Sequence, residues 1–287
     1  MSSILTNANA LSALQALQMT QNEMAQTQNQ VSTGLAVATA ADNAAYWSIG
    51  TQLSSDSGVV TAANSALTQS QSVLDTASSA ISSIVTTIKA ISNALTEATN
   101  PGADIGNIQT TLTSLGQQLT DAVNGASFNG LNVLDGSQAA APLAFVSGFN
   151  ATATGGTINT ISLTTQALTN AGAGLLDGGG AANLLTLGTT VTDATTANAA
   201  LGNVATVLNT VTNYAATIGA TQDRMTAAAT FNSALSTDYA NGVSGLVDAN
   251  MNTASTRLQA LQTQEQLGIQ SLSIANQNAQ LILKLFP

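Results

Sequence analysis

Apolar residues recur at steps of three and four along most of this chain, and the pattern is strongest at its two ends. Near the N-terminus it runs through Leu14, Leu17, Gln21, Met24, Gln28, Val31 and Leu35. At the C-terminus it runs through Val247, Met251, Ala254, Leu258, Leu261, Glu265, Gly268, Leu272, Ala275, Ala279, Ile282 and Phe286. This spacing predicts helices that each present one long seam to a partner. The C-terminal stretch carries a second seam, Leu267, Ile274, Leu281 and Leu285. A single partner helix covers one seam, so these ends are expected to dock on each other and then on neighbouring copies. The residues expected to form that contact are Leu14, Leu17, Met24, Val31, Leu35, Leu258, Leu261, Leu267, Leu272, Ile274, Ile282 and Leu285.

The same rhythm predicts a long helix through Val60, Ala63, Leu67, Ser70, Leu74, Ala77, Ile81, Ile84, Ile88, Ile91 and Leu95. Asn100-Pro101-Gly102 stops it, because proline cannot continue the hydrogen-bond ladder and glycine frees the turn. A shorter helix follows with Ile105, Ile108, Leu112, Leu115, Leu119 and Ala122. Another long stripe runs from Leu201 through Val204, Leu208, Val211, Ala215, Ile218, Gln222, Met225 and Ala229. Between residues 125 and 196 turn signals accumulate: Asn129-Gly130, Asp135-Gly136, Gly155-Gly156 and Gly178-Gly179-Gly180. The alternating run from Thr157 to Leu163 reads as a strand, and a hairpin is expected near residues 126 to 150. The expected class is mainly α: a bundle of long helices with paired terminal coiled-coil helices, a β-hairpin and a small turn-rich outer insert.

Composition narrows the function. Only 6% of the 287 residues are charged, against roughly 25% in an ordinary soluble domain. The polar faces are instead Ser, Thr, Asn and Gln, which form helices less readily, so these helices depend on packing. Fourteen acids and four bases, Lys89, Arg224, Arg257 and Lys284, give a net charge of −10. Nucleic-acid binding needs clustered cations, and a membrane-surface helix needs a basic face; neither is present. There is no Cys and no His, which removes disulfides, thiolate metal sites and the commonest general base. No apolar run approaches the ~20 residues of a membrane span. The uncharged N-terminus lacks the basic segment of a cleaved secretory signal, so any export is expected to bypass that route.

Candidate chemistry is sparse. Gly172-Ala173-Gly174-Leu175-Leu176-Asp177 begins like a dinucleotide loop, but Asp177 stands where the third glycine belongs, and a surface loop is the better reading. Asp42, Asp56 and Asp75 have no His, Lys or Cys beside them and read as caps or solvated faces. No catalytic residue, cofactor or metal site is expected. Asn150-Ala151-Thr152 is a glycosylation sequon of the kind chance supplies. Trp47, the only tryptophan, reads as a core anchor filling space between two helices, with an intersubunit contact as the alternative.

Several blocks resemble one family. Ser32-Thr33-Gly34-Leu35 followed by Ala40-Ala41-Asp42-Asn43-Ala44-Ala45 resembles the signature of bacterial flagellins, and Tyr46-Trp47-Ser48-Ile49 resembles the short flagellins of alphaproteobacteria. Ser127-Phe128-Asn129-Gly130-Leu131-Asn132-Val133-Leu134 is similar to the turn after their second helix. Leu246 to Asn252, Ser255 to Gln264 and Leu267 to Asn276 are similar to their C-terminal block. The resemblance implies a subunit that self-assembles into the helical flagellar filament used for swimming. It implies residues 1–40 with 246–287 as a terminal coiled-coil domain lining an inner tube. Residues 41–136 with 197–245 would form a helical bundle including a hairpin, and 137–196 a small variable outer domain. It also implies an extracellular polymer of identical copies, exported through the flagellar type III channel. An export chaperone, the filament cap protein and the hook–filament junction proteins are the further partners it implies. Alternatives of the same kind are a junction protein or an exported helical-stalk adhesin or effector. An outer domain outside the helical core would tolerate deletion of residues 140 to 190.

Two positions depart from the family. Ala36 stands where an Arg usually follows the Gly-Leu pair, and Pro287 replaces the usual terminal Arg. With four bases in the chain, ion pairs between copies must be few. Filaments are therefore expected to keep their length from low to moderate salt when followed by light scattering; depolymerisation by moderate salt alone would contradict this.

Overall fold

The computed structural model describes residues 7–138, 141–152, 155–169, 174–178 and 183–285, with the side chains of 278–285 excepted. Six helices and one hairpin lie among the described residues: α1 (Ala8–Thr33), α2 (Ala44–Ala98), α3 (Ile105–Gly125), β1 (Leu143–Thr152), β2 (Gly155–Leu163), α4 (Leu187–Thr190), α5 (Ala194–Val247) and α6 (Met251–Leu285). A 3-10 turn, Leu184–Thr186, precedes α4. The chain divides into two compact units, Met1–Ser57 with Thr237–Pro287, and Gly58–Ser236. Segment 137–196, which the sequence sets apart as an outer domain, falls within the second unit.

Helix starts follow from short polar side chains. Asn7 accepts from Ala10 N, Asn43 from Ala45 N and Tyr46 N, Asp104 from Asn107 N, Asp193 from Thr196 N, and Asn250 from Asn252 N and Thr253 N. Each occupies orphan donors of a first turn, a cap worth about 1 kcal/mol. Gly34 ends α1 at φ 76°, a left-handed conformation that glycine adopts without side-chain strain, and its N–H returns to Gln30 O at 2.9 Å. Along the helices, hydroxyls such as Thr20, Thr87 and Thr226 donate to the carbonyl four residues back. Their polarity is thereby satisfied locally.

In the terminal unit α1 lies antiparallel to α6. Asn7 Nδ2 donates to Ala275 O, Gln21 to Glu265, and Arg257 to Glu23 at 3.3 Å. The chain passes after α1 and before α6 are stitched by backbone: Ala36 N and Val37 N donate to Val247 O, and Ala249 N donates to Gly34 O. Leu35 and Asp248 form an antiparallel bridge there.

The second unit holds the main core. The predicted α2 stripe is buried from Val60 to Leu95, with only Ser70 partly covered. Leu112 and Leu119 of α3 and Val204, Val211, Ile218 and Met225 of α5 close over it. Val207 and Tyr214 of α5 are buried as well, a second row beside the predicted one. The hairpin differs in place from the sequence reading. Residues 128–131 make only a two-residue turn, with Asn129 at φ 51° and Gly130 at φ 80°. The strands pair later, Leu143 with Leu163 and Phe145 with Ile161. Ser147 is the extra residue of a bulge between Val146 and Gly148, and its carbonyl accepts from the buried Asn232 Nδ2 of α5 at 2.9 Å.

Beyond the hairpin the loops stack. Leu168 N donates to Leu134 O, Leu176 N to Leu168 O, and Leu184 N to Leu176 O, at 2.7 to 2.8 Å. All four leucines are fully buried. The turn before α4 then presses onto α3: a Cβ on Gly188 would lie 2.0 Å from Thr113 Oγ1, and one on Gly116 would lie 2.9 Å from Leu185 O.

This packing ties the segment to the helical core. Phe145, Ile161, Leu163, Leu168, Leu176 and Leu184 belong to the same core as the helices. Deleting residues 140–190 is expected to lower the thermal unfolding midpoint of the soluble protein sharply; an unchanged midpoint would show these contacts to be idle. Tyr214 gives a second test. Its buried hydroxyl donates to Val133 O at 3.0 Å, and burial pushes its phenol above the ordinary value. A raised value means that this group's contribution to stability is full below about pH 10 and is lost as pH rises through the folded value. Tyr214→Phe is expected to cost about 1–2 kcal/mol near neutrality. It is also expected to flatten the alkaline loss of stability, as read by urea unfolding between about pH 8 and 11.

Candidate functional site

The seam between α1 and α6 is built mostly from small or half-covered side chains. On α6, Ala254 and Leu261 are buried, and Leu258, Glu265, Gly268, Leu272 and Ala275 are half-buried at the predicted spacing. Gly268 brings the helices close: a Cβ there would sit 3.2 Å from Leu17 Cδ1. On α1 the covered row is Ala13, Leu17, Thr20, Met24, Thr27 and Val31. Thr27 is its one fully buried member, and its hydroxyl donates to Glu23 O at 2.8 Å. Leu35 is half-buried in the stitched loop.

Leu14 lies outside the α1 row that faces α6 and is 40% exposed in the single chain. Steps of three and four allow either Leu14 or Ala13 before Leu17, and the fold uses the small residue, which lets the helices approach. Thr20 and Thr27 went unrecognised for a related reason. They are polar by type, yet their hydroxyls turn back onto their own helix.

The described part of the second α6 seam is uncovered. Leu267 and Ile274 are each 59% exposed, and Leu11, Met19 and Ile269 also stand in solvent. Ile282 and Leu285 lie outside the residues whose side chains are described, as do Ala279, Leu281 and Phe286. Trp47 corrects the core-anchor reading, because it is 40% exposed. It lies in the opening turns of α2, where Ala44 to Ile49 are all exposed; burial begins at Gly50.

The acids show no catalytic pairing. Asp42 accepts from Thr39 N at 2.9 Å, the Thr39 hydroxyl at 3.0 Å and Ala38 N at 3.1 Å, and these donors hold its carboxyl below the usual carboxylate range. Asp56 accepts from Gln52, and Asp75 from Gln222. Asp42 thus holds a loop, Asp56 makes a contact within α2, and Asp75 ties α2 to α5. Among the described residues no cluster of His, Cys, Asp or Glu is placed to hold a metal ion, and no helix is long and apolar enough to cross a membrane. The ion pair of Arg257 with Glu23 is exposed on both sides and contributes little to stability. What the arrangement offers is an uncovered apolar strip on a two-helix scaffold.

Known proteins match this sequence along the whole chain. The N-terminal helical region of bacterial flagellin matches residues 4–139, and the C-terminal helical region matches residues 187–286. "Flagellin C" of Rhizobium meliloti (strain 1021) is 36% identical over 319 residues, covering 100% of this chain and 99% of that one. A flagellin of Brucella melitensis biotype 1 is 37% identical over 290 residues, with coverage of 100% and 99%. "Flagellin FljM" of Caulobacter vibrioides is 33% identical over 289 residues with the same coverage. Among solved structures, Bacillus cereus flagellin matches with a TM-score of 0.43 and 18% identity, over 57% of this chain and 86% of that one. With both helical regions matched and relatives aligned end to end, the chain belongs to the bacterial flagellin family.

Proposed function

We propose that copies of this chain join through the apolar strip that α6 leaves uncovered. Family membership makes the chain a structural subunit of the flagellar filament, the organelle of bacterial swimming. The observation that carries the proposal is the exposure of Leu267 and Ile274 beside a seam whose alternate positions are covered by α1. Burying a leucine or isoleucine releases roughly 1.5–3 kcal/mol relative to leaving it in water. Leu267 and Ile274 therefore favour association by two such increments on each copy.

Thin packing of the terminal pair supports the same reading. α1 has a single fully buried residue, Thr27, while α2 buries a continuous row of Ile and Leu. Few anchors and polar faces of Ser, Thr and Gln leave the pair marginal in a free chain and dependent on neighbours. Such a chain suits passage in an unfolded state through the flagellar type III channel. A chaperone, the filament cap protein and the junction proteins are the partners this route calls for. Segment 137–196 would face outward, and the chain would have no catalytic role.

Short wild-type filament fragments serve as seeds for the test. Leu267→Asp and Ile274→Asp place a charge on the strip without entering the α1 seam. Each is expected to keep the helix content of the soluble protein and to lose elongation, read by light scattering and electron microscopy. Filaments of normal length from either variant would show that the strip is not a contact.

A further inference from the structure

Within the second unit, α2 and α5 carry the same repeat. On α2, Val60, Leu67, Leu74, Ile81, Ile88 and Leu95 fall seven residues apart and are all buried. On α5, Ala197, Val204, Val211, Ile218, Met225 and Asn232 do the same. A second buried heptad row accompanies each: Ala77, Ile84, Ile91 and Ala98 on α2, and Ala200, Val207, Tyr214 and Thr221 on α5. Rows that repeat every seven residues specify alignment poorly. Sliding one helix by seven residues, about 10 Å, returns both rows to apolar partners, whereas sliding by three or four returns only one.

Polar side chains break that degeneracy. Asn64 Nδ2 donates to Ser233 Oγ at 3.3 Å, Gln71 Nε2 to Thr226 Oγ1 at 3.4 Å, and Gln222 Nε2 to Asp75 Oδ1 at 2.7 Å. Each step along α2 is matched by an equal step back along α5. Seven residues separate Asn64 from Gln71 and Ser233 from Thr226; four separate Gln71 from Asp75 and Thr226 from Gln222. The helices are thus antiparallel in one alignment. A slide of seven breaks the pairs unevenly. In one direction Asn64 would face Thr226 and Gln71 would face Gly219; in the other, Gln71 would still find Ser233. Asp75 loses its amide both ways, meeting Ala215 or Ala229. Asn232 discriminates as well. It is the one polar member of its buried row, and its Nδ2 donates to Ser147 O at 2.9 Å. A slide of α5 carries this amide off its acceptor, and a buried amide without an acceptor is penalised.

We propose that Asp75 with Gln222, together with Asn232, forms a register key, which confines α2 and α5 to one of the alignments that their heptad rows would otherwise share. A polar group in an apolar repeat lowers stability and excludes every alignment that leaves it unmatched.

The chain has no cysteine, so introduced pairs report alignment directly. Ser78→Cys with Gly219→Cys lies three residues further along the native steps. Ser78→Cys with Thr212→Cys, or with Thr226→Cys, reports a slide of seven in either direction. Each pair is placed in the otherwise wild-type chain and in one carrying Asp75→Ala and Asn232→Val. The proteins are unfolded in urea, refolded in reducing buffer and treated with a bis-maleimide too short to span a further seven residues. Bridged chains are counted by intact mass. The wild-type background is expected to bridge through the native pair alone. In the substituted background the native pair is expected to lose about half its bridging or more while a slid pair gains it, with helix content by circular dichroism unchanged. Bridging confined to the native pair in the substituted chain overturns the proposal. Loss of the native pair without gain by either slid pair also overturns it, because these residues would then be ordinary stabilisers. Should the doubly substituted chain fail to fold, Asp75→Ala alone is judged by the same two outcomes.

Discussion

One seam covered and one seam bare is the condition on which this molecule depends. α1 satisfies the α6 face that carries Leu261 and Leu272, and the face that carries Leu267 and Ile274 stays in water. A three-helix arrangement within the chain would hide both and end assembly. A helix with a single seam would also end it, because nothing would remain to bury. If copies join through the bare face, as proposed, the free energy of covering it is released between molecules.

Low charge makes that arrangement workable and shapes its chemistry. Helices without Lys and Glu pairs need another way to stay soluble and satisfied, and hydroxyls supply it. Thr20, Thr87, Thr110, Thr206 and Thr226 each donate to the carbonyl four residues back, which leaves a methyl outward and no donor seeking a partner. Cross-helix polar contacts in the second unit are amide to carboxylate or amide to hydroxyl, as in Gln222 with Asp75 and Gln71 with Thr226. Such contacts respond weakly to ionic screening, unlike the exposed pair of Arg257 and Glu23.

The long helices and their buried stripes are readable from the sequence because burial and a 3.6-residue period leave a repeating mark, whereas α2 begins already at Ala44 and α5 runs on to Val247, where the mark fades. The α2 stripe from Val60 to Leu95 is the clearest case. Leu14 shows where the mark is ambiguous, since adjacent residues can begin the same row and size decides between them. Trp47 shows a second limit: residue type indicates that a ring needs cover, and says nothing of whether the cover comes from the same molecule. The hairpin and the loops after it were less readable. Their order comes from backbone pairing between residues far apart in sequence, Leu134 with Leu168 among them, and such pairing leaves no period. Glycine-rich stretches there look like free loops until Gly188 is seen pressed on α3.

The leucine ladder has a kinetic corollary. Its first rung, from Leu134 to Leu168, closes a long loop around the hairpin, while the next two, to Leu176 and to Leu184, each close a short one. Entropy makes the first closure the slow event and the later ones quick once it stands. A chain regaining this fold would wait on that closure and then zip leucine by leucine toward α4.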